Sequence, residues 1–208
     1  MELSALREKL LKRLLEALPG ALAHEPMRAV PVGSTIPNFQ HKLPPKPGAV
    51  LILLYEEAGH IKFPLIVRPE YAGAHSGQIS LPGGKAEIGE DAIQTALREG
   101  EEEIGIDRTQ VDVIGKLTDF FVIPSNFLVT PVVGIIHDPI FRADAREVSR
   151  IISCTLFDLL LEGAIKTKEI TAAGKYRMMA PHFEIDGEVV WGATAMMLNE
   201  FRTVLLEP

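Results

Sequence analysis

Between Gly84 and Ile106 the chain reads Gly84-Lys-Ala-Glu-Ile-Gly-Glu90-Asp-Ala-Ile-Gln-Thr-Ala-Leu-Arg98-Glu99-Gly100-Glu-Glu102-Glu103-Ile-Gly105-Ile106, and this stretch constrains the fold more than any other. Asp91 suits a helix N-cap. A helix from there to about Ile104 places Glu99, Glu102 and Glu103 at i, i+3 and i+4, on one face. Three like charges so placed repel one another, and a solvated helix gains nothing from the clustering. Hard carboxylate oxygens are, however, what Mg²⁺ or Mn²⁺ takes as ligands, with waters and substrate phosphates completing the shell. Such a cation supplies the missing counter-charge.

The glycines point the same way. Leu81-Pro82-Gly83-Gly84 follows an apolar, strand-like run and predicts a sharp turn just before the helix, where glycine tolerates φ > 0 and close approach. A carbonyl exposed at Gly84 is a further candidate ligand, and Gly105 reads as the left-handed helix stop. Arg98, next to Glu99 and one turn before Glu102, is expected to hold Glu90 or Glu102 by a bidentate contact rather than to bind metal. A glutamate run alone is usually a solvated face; the fixed spacing of glycines, arginine and carboxylates is what sets this one apart.

On these residues the chain resembles the Nudix hydrolases, whose 23-residue signature G-x5-E-x7-R-E-U-x-E-E-x-G-U, with U a bulky aliphatic, runs here from Gly84 to Ile106. Gly84, Glu90, Arg98, Glu99, Glu102, Glu103 and Gly105 match. Gly100 departs from the pattern. A glycine inside a helix costs on the order of 1 kcal/mol relative to alanine, so it is expected to soften the helix without removing a ligand. The resemblance implies an α/β/α sandwich around a mixed β-sheet. It also implies Mg²⁺ or Mn²⁺ held by Gly84, Glu99, Glu102 and Glu103, and catalytic duties for Glu90, Arg98, Glu102 and Glu103.

Composition suits one globular domain: 208 residues, 47% hydrophobic, 24% charged, with a net charge of −7. The acidic balance argues against non-specific nucleic-acid binding and against an anionic membrane surface. It leaves a phosphate-bearing substrate open, since a cation removes the repulsion locally. Cys154 is the single cysteine and lies in an apolar run, so it reads as a buried small hydrophobe in a reducing, cytoplasmic setting. No segment is long and apolar enough to span a bilayer, and the N-terminus lacks a signal-peptide pattern.

Residues 2 to 18 predict an amphipathic helix, with Leu3, Leu6, Leu10, Leu11, Leu14, Leu15 and Leu18 recurring at helical spacing. Packing on the core is the plain reading; the leucine stripe also permits a homodimer. Residues 19 to 48, rich in Pro and Gly, read as an extended connector with little regular structure. The first 48 residues are thus expected to form a helix and connector, and residues 49 to 208 the Nudix domain. Strands are expected over 49 to 56, 61 to 68, 76 to 81, 111 to 123, 128 to 137, 148 to 155, 165 to 171 and 175 to 185, with a closing helix from 192 to 205.

Substrate class is read outside the signature, where three segments resemble the coenzyme A diphosphatase branch of the family. The first runs from Leu65 through Arg68 and Gly77 to Gly84 with the branch's spacing; His75 and Gln78 sit where that branch often has H-x-G-Q. Arg68, His75 and Gln78 are therefore the candidate substrate contacts. Ile66, Pro69, Gly73 and Leu81 depart from the branch. Gly73 replaces an arginine, and loss of one charge-assisted bond to a phosphate weakens binding by about 1.5 to 3 kcal/mol. The second segment runs from Pro124 to Gly134, with Asn126 at a glycine position, and the third from Val189 to Ala195 around Trp191.

The resemblance implies attack of water on one phosphorus, with Glu102 or Glu103 as general base. For coenzyme A the products are 3′,5′-ADP and 4′-phosphopantetheine. Glu147, just before an expected strand, is a candidate second-metal ligand or base, a surface glutamate being the plainer reading. His24, His41, His60, His137 and His182 show no metal-ligand spacing. Two competing readings stand beside this one. One is a Nudix hydrolase of ADP-ribose, a nucleotide sugar or a nucleoside triphosphate, and the other a non-catalytic nucleotide-binding module.

Overall fold

The computed structural model describes residues 2–33, 38–69, 77–172, 174 and 176–207. Helix α1 (Leu3–Arg13) is followed by a short α2 (Ala21–His24), a 3-10 turn (Glu25–Met27) and strand β1 (Val30–Pro31). Strands β2 (Lys46–Glu57), β3 (His60–Val67), β4 (Ile79–Ser80) and β5 (Gly83–Lys85) precede helix α3 (Ala92–Ile104). Then come β6 (Asp112–Lys116), β7 (Phe120–Val122), β8 (Phe127–Ile135), β9 (Arg150–Thr155) and α4 (Leu156–Leu160). Strands β10 (Ile165–Ala172), β11 (Tyr176–Ile185) and β12 (Glu188–Trp191) lead into α5 (Gly192–Leu206).

Strand β2 organises these elements. It pairs in parallel with β8 and antiparallel with β3 and β5, inside an eight-stranded mixed sheet that also takes in β4, β6, β7 and β9. Side chains of a strand alternate between faces, and β2 is apolar on both. Ala49, Leu51, Leu53 and Tyr55 pack with Ala96 and Ile104 of α3. Ile52 and Leu54 join Leu6 and Leu10 of α1 and Leu198, Phe201 and Val204 of α5. The register Leu51↔Val132 and Ile52↔Val133 carries both faces onto β8. Helices therefore cover both sides of a mixed sheet. A second sheet, with β11 between β1 and β10 and β12 also on β11, adds Phe183, Ile185 and Val190 to the α1/α5 side. Burying each such leucine or phenylalanine contributes about 1.5 to 3 kcal/mol.

Helix α3 begins and ends where local chemistry directs. Asp91 accepts from the Gln94 N–H, and the Gln94 side chain accepts from the Asp91 N–H, each at 2.9 Å, which is a reciprocal capping box. Gly105 closes the helix at φ 71°. Gly100 has a packing role that the sequence pattern does not show. It is buried, and a Cβ there would stand 3.0 Å from Leu51 Cδ2 and 3.1 Å from Ile106 Cδ1. Its missing side chain lets the helix lie close on β2.

Several expectations shift. The first helix stops at Arg13, and Leu15 is 89% exposed while Leu3, Leu6 and Leu10 are buried. The proline-rich connector holds α2, the 3-10 turn and β1, the last paired with β11. The strand expected over 111 to 123 divides into β6 and β7, because Pro131 of β8 has no N–H to donate and Thr118 turns its own N–H to Glu200. Strands β5 and β12 and helix α4, all short, were not expected. Of the strand expected over 76 to 81, Ile79–Ser80 is observed, residue 76 lying outside the described residues.

The N-terminal segment is tied down by one buried carboxylate. Glu200 of α5, fully buried, accepts from the Gly20 N–H at 3.2 Å and the Thr118 N–H at 3.3 Å, and pairs with His24 Nε2 at 2.9 Å. Asn199 beside it donates to the Ala23 carbonyl at 2.6 Å. Removing the acceptor leaves the buried Gly20 N–H, the half-buried Thr118 N–H and the His24 ring without their partner, so Glu200→Leu is expected to lower unfolding free energy by about 3 kcal/mol in urea titration. Glu200→Gln, which keeps an oxygen for the two N–H groups, is expected to lose less.

Candidate active site

Strand β5 and α3 form one surface, the Gly83–Gly84 pair expected to turn lying instead in a strand paired with β2. Gly83, at φ 152°, donates its N–H to Glu103 Oε2 at 2.7 Å, and a Cβ on Gly83 would meet the Ala49 carbonyl oxygen at 2.3 Å. At Gly84 a Cβ would fall 2.5 Å from Glu99 Oε1, so the Glu99 carboxylate rests directly on the glycine backbone. Gly48, which the sequence reading passed over, has a related part: a Cβ there would come within 2.6 Å of the Gly84 carbonyl oxygen. A Pro-Gly pair opening a strand was the only signal available.

Arg98 fixes the acidic side chains around it. It binds Glu90 bidentately, through Nε at 2.7 Å and Nη2 at 3.1 Å, and donates Nη1 to Glu99 and to Glu102 at 2.8 Å each. Nη2 also reaches the Lys85 carbonyl at 3.0 Å. The Arg98 guanidinium holds the Glu90 carboxyl down at about 2, well below the usual carboxylate range.

Among the described residues Glu99, Glu103 and Glu147 converge, each offering a carboxylate oxygen within 4.8 Å of the others. Glu102 stands outside this group, with 53% of its side chain exposed and Oε2 bound to Arg98. The helix explains the difference. Successive residues turn by about 100°, so Glu102 and Glu103 straddle Glu99 and diverge from each other. Glu147 arrives from the segment before β9, far away in sequence, and only a glutamate just before a strand hinted at it. Arg68 lies near enough for its charge to act on Glu103, and its N–H donates to the Gln78 carbonyl at 3.0 Å. His75 and Gly73 fall outside the described residues.

Burial pushes the Glu103 carboxyl up to about 7, Gly83 and Arg68 pulling it down and the Glu99 and Glu147 carboxylates raising it further. Glu99 is also raised, first by burial. Cys154, buried in β9, has its thiol pushed up by burial and stands apart from this cluster. Asn126 adopts φ 57° and donates to the carbonyls of Leu43 and Pro44 at 3.1 and 3.2 Å, which accounts for an asparagine where the related motif has glycine. Among the described residues no helix is long and apolar enough to cross a membrane.

Comparison with known proteins agrees with this geometry. Residues 45–172 match the NUDIX domain model. The chain is 31% identical over 168 residues to the Yersinia enterocolitica protein named uncharacterized Nudix hydrolase NudL, covering 74% of this chain and 84% of that one. It is 36% identical over 173 residues to Nudix hydrolase 22, chloroplastic, of Arabidopsis thaliana, covering 78% of this chain and 56% of the longer plant protein. A solved Nudix hydrolase from M. smegmatis, RenU, superposes with a TM-score of 0.51 at 15% identity over 78% of this chain and 88% of its own. The chain belongs to the Nudix family and is a pyrophosphohydrolase of that family.

The raised Glu103 has a testable sign. Its folded value of about 7 exceeds the ordinary 4.5, so the metal-free folded state binds the extra proton and Glu103's contribution to stability falls as pH rises from 4.5 to about 7. A divalent cation held by the ionised carboxylates would oppose this trend. The gain in melting temperature on adding Mn²⁺ to EDTA-treated protein is expected to grow across that interval, and to shrink in Glu103→Gln.

Proposed function

We propose that this Nudix hydrolase cleaves the diphosphate of coenzyme A or an acyl-CoA, releasing 3′,5′-ADP and 4′-phosphopantetheine or its acylated form. The observation that carries the reading of the site is the convergence of Glu99, Glu103 and Glu147 beside Gly83 and Gly84 of β5. Three hard oxygen donors whose mutual repulsion needs a counter-charge fit Mg²⁺ or Mn²⁺. These carboxylates, with the Gly84 carbonyl, would hold the ion. When bound, the cation neutralises charge on the diphosphate and acidifies a water.

The chain's own groups do the rest. Arg98 keeps Glu90, Glu99 and Glu102 oriented, so the ligand set is preorganised before substrate arrives. Glu102, exposed and outside the converging group, accepts the proton of the attacking water on Oε1 while Arg98 holds Oε2. Arg68, Gln78 and His75 are assigned to the diphosphate and its substituents by the motif they belong to, His75 lying outside the described residues. The choice of coenzyme A rests on the three segments around Arg68, Thr130 and Trp191, in the branch's order. A reducing, cytoplasmic setting suits the buried thiol of Cys154.

Incubation with Mg²⁺ or Mn²⁺ and a panel of coenzyme A, ADP-ribose, a nucleotide sugar and nucleoside triphosphates tests the reading by product analysis. Release of 4′-phosphopantetheine is expected, with kcat lowered on the order of 100-fold in Glu102→Gln. Preferential cleavage of another panel member would overturn the coenzyme A assignment and point to the arginine replaced by Gly73.

A further inference from the structure

The segment that delivers Glu147 is built onto the end of α3. The Arg142 N–H donates to the Ile104 carbonyl at 2.8 Å and the Asp144 N–H to the Glu103 carbonyl at 3.1 Å. These are carbonyls of the last turn, which a helix leaves without internal partners. Gly105 makes the docking feasible, because a Cβ there would meet the Arg142 carbonyl oxygen at 2.9 Å and its Cβ at 3.0 Å. The helix stop of the signature thus also provides a seat for a segment nearly forty residues further on.

From that seat Asp144 makes the turn. Its carbonyl accepts from the N–H groups of Glu147 at 3.0 Å and Val148 at 2.8 Å, and its Oδ1 accepts from the Arg146 N–H at 2.9 Å. Val148, 1% exposed, plugs into the core on the α3 side, and the Ser149 N–H joins the Val67 carbonyl at 2.9 Å. Glu147 is held between these anchors. The Arg146 guanidinium also pairs with Asp144, but that side chain is 85% exposed, and pairs in water contribute little. The turn therefore depends on the Oδ1 acceptor more than on the charge.

We propose that Asp144 is a positioning residue of the hydrolase: its side chain shapes the turn that sets the Glu147 carboxylate against Glu99 and Glu103, so cation affinity depends on a group that touches neither cation nor substrate. The inference rests on the reading of those three carboxylates as cation ligands.

Mn²⁺ affinity of the full chain, measured by electron paramagnetic resonance and calorimetry after EDTA treatment, tests it alongside kcat and KM. Glu147→Gln and Asp144→Ala are each expected to weaken Mn²⁺ binding about tenfold, as loss of a supporting group does. Two further results are expected: Asp144→Ala/Glu147→Gln no weaker than Glu147→Gln alone, and Asp144→Asn, which keeps the acceptor, close to wild type. Arg146→Ala should stay within about twofold of wild type. Wild-type affinity in Asp144→Ala together with weakened binding in Glu147→Gln would overturn this inference and leave the site reading standing. Unchanged binding in both Glu103→Gln and Glu147→Gln would overturn the site reading and this inference with it.

Discussion

The fit of α3 against Gly83 and Gly84 of β5 is the contact on which the rest of the site depends. Glu99 rests on the backbone of Gly84, Glu103 takes the Gly83 N–H, and the Leu51 N–H donates to the Pro82 carbonyl at 2.8 Å, fastening the start of β5 to β2. A side chain at Gly84 would displace the Glu99 carboxylate, and one at Gly83 would drive β5 off β2. Gly100 works toward the same closeness from the other end, against Leu51 and Ile106. A helix-weakening residue is tolerated because overpacking a tight interface costs as much as, or more than, the lost propensity.

That closeness concentrates negative charge. Arg98 meets Glu90, Glu99 and Glu102 but leaves Glu103 and Glu147 without an arginine in hydrogen-bonding contact among the described residues. Burial raises the Glu103 carboxyl first, and the Glu99 and Glu147 carboxylates beside it add to the rise. A site of this kind carries an unmet demand for positive charge, in keeping with the divalent-cation chemistry of the family. The buried Glu200 shows the contrast, since two backbone N–H groups and His24 meet it, and its work is to fasten the N-terminal segment to α5. The region matching the NUDIX model ends before α5 and begins after α1, yet both helices furnish the core under the opposite face of the sheet.

The parts legible in the sequence are those whose cause is local. The capping box at Asp91, the helix stop at Gly105 and the bidentate reach of Arg98 to Glu90 follow from residues within one or two turns of each other. Placing Glu102 among the converging carboxylates did not follow as simply, because i+3 and i+4 neighbours share a broad face without pointing to the same spot. The break between β6 and β7 needed Pro131 and Glu200, which no window around residue 117 contains. Helix α2 and β1 stayed hidden in the proline-rich stretch, since their partners, α5 and β11, lie more than a hundred residues away.

By itself the sequence determined the family, the α/β class, the carboxylate-bearing helix and its caps, because spacing along one helix converts directly into geometry. Only the tertiary structure decided which carboxylates meet. Glu147 joins Glu99 and Glu103 through backbone bonds between the segment before β9 and the last carbonyls of α3, and Gly48 guards the Gly84 carbonyl across the ladder of β2 and β5. Such contacts are set by how strands register and where a helix ends, physical facts that chain-local patterns do not encode.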